Sequence, residues 1–244
     1  MSADINFDAM FSGVIGREYD MLKLICPYAV EMSRLVGEQI AALAGQQNNE
    51  LQVLELGGGT GITTLAILSA ADNVSVLSVD NEPAMQDQAK HNLNAWVEKQ
   101  RLQFSADDAL TALRQCASAS FDVIASAYTL HNFPRDYRRL VINEMFRVLQ
   151  PGGYFINGDR YALDDISMHT RNTQIEAAGY FKVLTEINRL DLLEHWIIHL
   201  FNDESENHIM REAIAIQQMA DAGFSQINVQ LRHGVNALLT AIKN

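Results

Sequence analysis

Apolar and polar positions along this chain follow two rhythms, and the switches between them lay out the fold. Five short apolar runs read as strands: 51–56 (LQVLEL), 73–80 (NVSVLSVD), 101–106 (RLQFSA), 121–128 (FDVIASAY) and 152–158 (GGYFING). Between them, 63–70, 83–98, 109–116 and 135–149 carry the spacing of helices, the second with Pro83 in its first turn, where a missing N–H is harmless. Strands and helices in alternation, with apolar strands, predict a parallel sheet covered on both faces.

The two ends read differently. Residues 1–50 look helical, with 21–43 carrying apolar positions three and four apart around Pro27, and 46–50 (QQNNE) forming a polar connector. Beyond 158 the pattern is mostly helical over 160–202 and rich in His, Arg, Asp and aromatics. A helix over 206–221 leads through AGF at 222–224 into 226–232, and His233-Gly234 turns the chain into 235–243. A closing β-hairpin on a doubly wound sheet is the expected ending.

Composition narrows the partners. The 244 residues suffice for one large α/β domain, or a core domain with an insertion. With 18 Lys and Arg against 30 Asp and Glu, the formal charge of −12 repels nucleic-acid phosphates and offers nothing to anionic lipid. No basic cluster offsets this, so nucleic acid and membrane are not expected partners. Cys26 and Cys116 are far apart and lack CxxC spacing, which fits a reducing compartment better than a disulfide framework or zinc knuckle. The first residues carry no signal-peptide pattern, and no apolar run reaches the roughly 18 residues that a membrane span needs. A cytoplasmic protein is expected; a homodimer is left open.

The stretch ELGGGTG (55–61) concentrates the chemistry. Strand, glycine turn and helix place backbone N–H groups and a helix N-terminus against a ligand. Glycines disfavour folding by about 0.5–1 kcal/mol each relative to alanine, so four in five positions need a reason. The spacing is GxGxG rather than the GxGxxG of dinucleotide sites, and Glu55 precedes it, suiting an ammonium-bearing ligand better than a pyrophosphate. Asp80 ends the second strand about 20 residues on, where a carboxylate accepts hydrogen bonds from ribose hydroxyls. Asp107 follows the third strand, within reach of an adenine amino group. LQPGGYF (149–155) turns a helix into a buried strand.

Together ELGGGTG, VDNEP, SADD and LQPGG resemble the class I S-adenosylmethionine (SAM) dependent methyltransferases, over roughly 50–158 and with a compatible hairpin ending. The resemblance implies a Rossmann-like, doubly wound α/β sheet of seven strands, the last antiparallel, with SAM across the carboxyl ends of the first strands. It implies an N-terminal helical lid over 1–50 and a SAM-binding methyltransferase domain over 51–244, with a helical cover inserted at about 160–205. It assigns Gly57, Gly59 and Gly61 to close approach of the methionine and ribose, and Glu55 to the loop or the amino group. Asp80 would hold the ribose hydroxyls, Asn81 lie beside adenine, and Asp107 with the backbone of Asp108 meet the adenine edge. Ala127 would present its carbonyl to the SAM amino group. Residues 7–22 resemble a lid, with Tyr19 closing over the methionyl group.

Methyl transfer from a sulfonium is an in-line displacement, so the protein chiefly supplies alignment and a dry site. A base is needed only for an acceptor protonated at neutral pH. His131, in AYTLHNFP, is the candidate base, beside the reading that the Leu-His pair packs structurally. Tyr128, Asp159, Arg160 and Tyr161 leave the sheet at the same edge and are candidates for the acceptor pocket; Arg160 is a candidate anion clamp or one half of an Arg–Asp surface pair. Asp191, His195, His199 and Asp203 are spaced by four, a pattern able to chelate a divalent ion on one helix face. Asp203 with Glu206, however, reads as a capping box that starts the next helix, so no metal site is expected. His195, Trp196 and His199 are instead assigned to the pocket wall.

The leading reading is thus a methyltransferase acting on a small-molecule acceptor. The layout also resembles the carboxy-SAM synthases, with Arg189 or Arg160 as the carboxylate-binding arginine. It departs from them in its glycine-richer loop and its longer stretch between Arg189 and AGF. A carboxy-SAM synthase-like or tRNA-modification-related enzyme and a non-catalytic SAM-binding protein remain as alternatives.

Overall fold

Strands β1 (Leu51–Leu56), β2 (Val74–Val79), β3 (Leu102–Ser105), β4 (Phe121–Ala127) and β5 (Leu149–Arg160) pair in parallel. Strands β6 (Phe224–His233) and β7 (Asn236–Lys243) form the closing hairpin, and β7 inserts antiparallel against β5. The sheet order is β3-β2-β1-β4-β5-β7-β6, the expected seven strands with the last antiparallel. The order reverses between β1 and β4, and the crevice at such a reversal is where open α/β sheets bind ligands. These features come from a computed structural model that describes residues 23–24, 26–46 and 49–244. The expected lid segment 7–22, Tyr19 included, lies outside the described residues.

Successive strand residues face opposite sides, and both sides are covered, which explains why β1 reads as nearly continuous apolar sequence. On one side, Val53 and Val123 pack with Val36 and Ile40 of α1 (Pro27–Ala44) and Leu65 of α2 (Ile62–Ala70). On the other, Leu54 and Ile124 pack with Leu113 of α5 (Ala109–Gln115), Met145 of α6 (Arg135–Val148) and Met219 of α9 (Glu212–Ala222). Residues 23–24 are helical, Cys26 is not, and Pro27 opens α1 as its first residue, where its missing N–H is harmless.

Two helical expectations change. The segment 83–98 divides into α3 (Pro83–Asn92) and α4 (Asn94–Glu98), because the chain turns at Leu93 to seat that side chain in the core. The helix expected over 206–221 begins only at Glu212, and Asp203 belongs to the helix before it, so the capping box is not formed. Tertiary hydrogen bonds decide this: the Arg135 N–H donates to the Asn207 carbonyl, the Arg138 guanidinium donates to that of His208, and the Ala162 N–H donates to that of Met210.

The segment after β5 forms two helices, α7 (Ile166–Glu186) and α8 (Leu190–Asp203), joined through Asn188 at φ +54°. Asp165 caps α7 by accepting from the Met168 N–H at 2.9 Å. The pair shares a small core of Tyr180, Leu184, Leu193 and Leu200. Among the described residues, no helix is long and apolar enough to cross a membrane.

Candidate active site

The turn from β1 to α2 leaves almost no room for side chains. Gly57 has φ +73°, and a Cβ there would fall 1.9 Å from Thr129 Oγ1. A Cβ on Gly58 would fall 2.1 Å from Ser78 Oγ, and one on Gly61, which caps α2, would fall 2.8 Å from Leu93. Gly59 differs: nothing lies within 4 Å of its Cβ position, and the residue borders a cavity. Three glycines of the loop therefore serve packing, and the fourth faces open space. Glu55 lies fully buried beneath them, with Oε2 accepting from Thr64 Oγ1 at 2.6 Å and Ser78 Oγ at 2.7 Å. Burial pushes its carboxyl up to about 7, and Oε1 has no partner. It supports the loop from below and is not part of the cavity wall.

The cavity, about 960 Å³, opens at the carboxyl ends of β1, β2 and β4. Asp80 fixes its corner: Oδ2 accepts from the Gly59 N–H at 2.7 Å and Oδ1 from the Glu82 N–H at 2.8 Å. Asn81, Asp107 and Ala127 also line it, Asp107 accepting from Ser105 Oγ at 2.9 Å. Asp108 borders it too, but its carboxylate is engaged elsewhere. It caps α5 and accepts from Thr111 Oγ1 at 2.6 Å and Tyr137 Oη at 2.7 Å, bonds that hold it down at about 2. Among the described residues, Asp80, Asp107, Asp108 and Asp203 face the cavity against the single guanidinium of Arg160. Such a lining favours a cationic ligand and disfavours a pyrophosphate.

The far end is built from β4, β5 and α8. Tyr128, at φ +51° just past β4, is buried and donates a short hydrogen bond to Asn236; burial pushes its hydroxyl well up. His131 sits in a 3-10 turn (Leu130–Asn132), 3% exposed, with Nδ1 at 2.6 Å from Asp159 Oδ1. Asp159 also accepts from the N–H groups of Leu130 and Arg160 and from Asn157. Burial alone would raise its carboxyl, but His131 and these donors outweigh that and hold it below the usual range. An ionised Asp159 can only accept, so Nδ1 of His131 carries a hydrogen, and Nε2 faces Asp203.

Arg160 does not present a free cation. Its Nη1 lies 2.5 Å from Glu176, Nε 3.5 Å from Asp203 and Nη2 3.5 Å from Glu204. Burial opposes its charge, yet Glu176 foremost among these carboxylates holds it above its ordinary value. The anion-clamp and surface-pair expectations both give way to a buried guanidinium among three acids. Tyr161 is a second correction. It lies outside the cavity in the opposite core, its hydroxyl accepting from Asn157 at 2.7 Å, because β5 runs through Arg160 and alternation turns the next side chain away.

From α8, His195, Trp196 and His199 reach the cavity with Asp203, and Trp196 packs between Tyr180 and His199. Asp191 does not join this row: it is exposed and pairs with Arg189 at 2.7 Å.

The family model of a methyltransferase domain matches residues 53–153, the strands and turns that build the glycine loop, the Asp80 corner and the Asp107 edge. Over this stretch the chain is similar to SAM-dependent methyltransferases. It is 23% identical over 246 residues to a carboxy-S-adenosyl-L-methionine synthase of Shewanella amazonensis, covering 98% of this chain and 93% of that one. It is 37% identical over 112 residues to a demethylmenaquinone methyltransferase of Leptospira interrogans, across 46% of this chain and 44% of the relative. In fold it matches an O-methyltransferase family protein from Burkholderia thailandensis, with a TM-score of 0.63 and 18% identity over 98% of this chain. The chain spans only 59% of that larger protein.

The sequence-selected residues Gly57, Gly59, Asp80, Asn81, Asp107, Asp108, Ala127, Tyr128, His131, Arg160, His195, Trp196 and His199 line one cavity. Glu55, Gly61, Asp159 and Tyr161 do not; Asp159 is buried beneath the wall, bonded to His131. Sequence reasoning missed Glu176 and Glu204, which compensate Arg160 from α7 and the end of α8. No local spacing links them to β5; only the helical hairpin brings them there. Tyr137 was also missed; from the first turn of α6 its hydroxyl donates to Asp108, the cap of α5.

Proposed function

We propose that this chain transfers a methyl group from SAM to a small-molecule acceptor. The observation that supports this most directly is the Gly59–Asp80 corner, a bare backbone and a fixed carboxylate side by side, in a cavity with an excess of acid. When bound, SAM supplies an electrophilic methyl on a sulfonium. Asp80 would hold the ribose hydroxyls with the lone pairs its backbone bonds leave free. Asn81 and Asp107 would address the adenine, and Asp108 would contribute backbone alone, since its carboxylate is spent on the α5 cap and Tyr137. Ala127 would offer its carbonyl to the amino group, and Glu55 would keep the loop in place from below. The α7–α8 pair would cover the acceptor, excluding water and aligning it for in-line attack.

The carboxy-SAM synthase reading draws support from the extent of likeness to relatives of that name. Against it stand the two arginines. Arg189 is exposed and paired with Asp191, and Arg160 is surrounded by Glu176, Asp203 and Glu204, so neither offers an uncompensated cation to an added carboxylate. Calorimetry with SAM and with carboxy-SAM separates the two readings. Tighter binding of SAM, weakened at least tenfold in Asp80→Ala, supports methyl transfer. Tighter binding of carboxy-SAM, or no binding of either by the folded chain, overturns it.

A further inference from the structure

We propose that His131, His199 and Asp203 form a site for one divalent first-row transition-metal ion at the acceptor end of the cavity. The Nε2 atoms of His131 and His199 lie 3.8 and 3.7 Å from the same oxygen, Asp203 Oδ2, and the three atoms all fall within 4.8 Å of one another. These distances exceed a hydrogen bond. The Nδ1–Asp159 bond orients the ring so that Nε2 of His131 points at that carboxylate. A cation held among the three would engage all of these donor atoms at once. Metal bonds of about 2.0–2.2 Å need donors roughly 3–3.5 Å apart, so the side chains would draw closer on binding.

Three further features fit. Asp203 Oδ1 is buried without a partner, although the carboxylate lies in a wall of polar groups. The surrounding charge is acidic: Asp159, Glu176, Asp203 and Glu204 outnumber the guanidinium groups of Arg160 and Arg138, and their other basic neighbours are His131, His169 and His199. The Asp159–His131 bond is the outer-shell device that fixes a ligand histidine's tautomer and raises its basicity. His199 and Asp203 are one helical turn apart on α8, so a single helix delivers two ligands to a third held on β4's turn.

Two imidazoles and one carboxylate suit iron(II), cobalt(II), manganese(II) or zinc(II) better than magnesium or calcium. Three protein ligands leave coordination positions open to the cavity. An acceptor hydroxyl bound there would release its proton to water more readily, and its oxygen would then take the methyl as the S–CH3 bond breaks, leaving S-adenosylhomocysteine. This last role rests on the methyl-transfer reading; the metal site itself does not.

The test uses untagged, chelator-stripped chain titrated with cobalt(II) without SAM, followed by visible absorption. Saturation at one equivalent per chain with d–d bands is expected. His199→Ala should weaken binding about 100-fold or more while far-UV circular dichroism stays unchanged. Asp203→Asn should do the same, and if its burial prevents folding, His199→Ala carries the test alone. Absence of saturable cobalt binding, or equal affinity in folded His199→Ala, overturns the site. Calorimetry of S-adenosylhomocysteine on the stripped chain reports separately on the methyl-donor reading.

Discussion

Nδ1 of His131 lies 2.6 Å from Oδ1 of Asp159, and both side chains are buried where β4 and β5 run side by side. Asp159 also gathers the backbone N–H groups of Leu130 and Arg160, so one carboxylate fixes the turn after β4 and the end of β5 together. Its removal leaves several buried donors unpaired at once. Asp159→Ala should therefore destabilise the fold by about 3–5 kcal/mol, measured by urea unfolding. A loss below about 1 kcal/mol would mean that water replaces the carboxylate at no great disadvantage.

Arg160 has the same structural weight with the opposite charge. Glu176, Asp203 and Glu204 converge on it, and only about a tenth of its side chain is exposed. Arg160→Gln strands three acids and should lower stability by about 3 kcal/mol in thermal or urea unfolding. If Arg160 instead served mainly to clamp an acidic ligand, the variant would keep its stability and lose only ligand affinity.

What the chain revealed in advance follows from distance along it. Asp80 and Asp107 are set by strand ends and turn spacing, local properties that a sequence displays, and both line the cavity. His131 was visible as a residue, but its partner was not, because the pairing needs β4 and β5 to be neighbours in space. The four-residue spacing of His195, His199 and Asp203 was legible as one helix face. The apparent cap at Asp203 and Glu206 cut that face short, since the tertiary hydrogen bonds that keep 204–211 irregular leave no local trace. Tyr161 was misplaced because β5 continues two residues beyond its apolar run, to Arg160, and each added residue reverses the face.

Glu55 makes stability depend on pH in a direction opposite to most carboxylates. Burial raises its folded value to about 7 from 4.5, so the folded chain binds a proton that the unfolded chain has released. Its contribution is full below the unfolded value and is lost as pH rises through the folded one. The loss should reach about 3 kcal/mol between pH 4.5 and 7.5. Glu55→Gln, which keeps the size and carries no charge, should flatten this slope. The check is urea unfolding of both proteins at several pH values across that window, and parallel slopes would place the titration elsewhere.

Gly57 and Gly59 separate folding from binding within one turn. Both have positive φ, +73° and +52°, so alanine at either meets the same backbone penalty of about 1 kcal/mol. At Gly57 the added Cβ also collides with Thr129, fixed between the carbonyls of Leu56 and Ala127, to which its hydroxyl donates. Gly57→Ala should therefore lose a further 2 kcal/mol or so, the range of an overpacked core. At Gly59 the Cβ meets nothing in the protein and enters the cavity beside Asp80. Gly59→Ala should unfold within about 1 kcal/mol of the parent while its SAM affinity falls at least tenfold. Urea unfolding and calorimetry on the same two variants read both quantities. Undiminished affinity in Gly59→Ala would move the ligand away from this corner of the loop, because a methyl group there cannot share space with a backbone-hugging ribose.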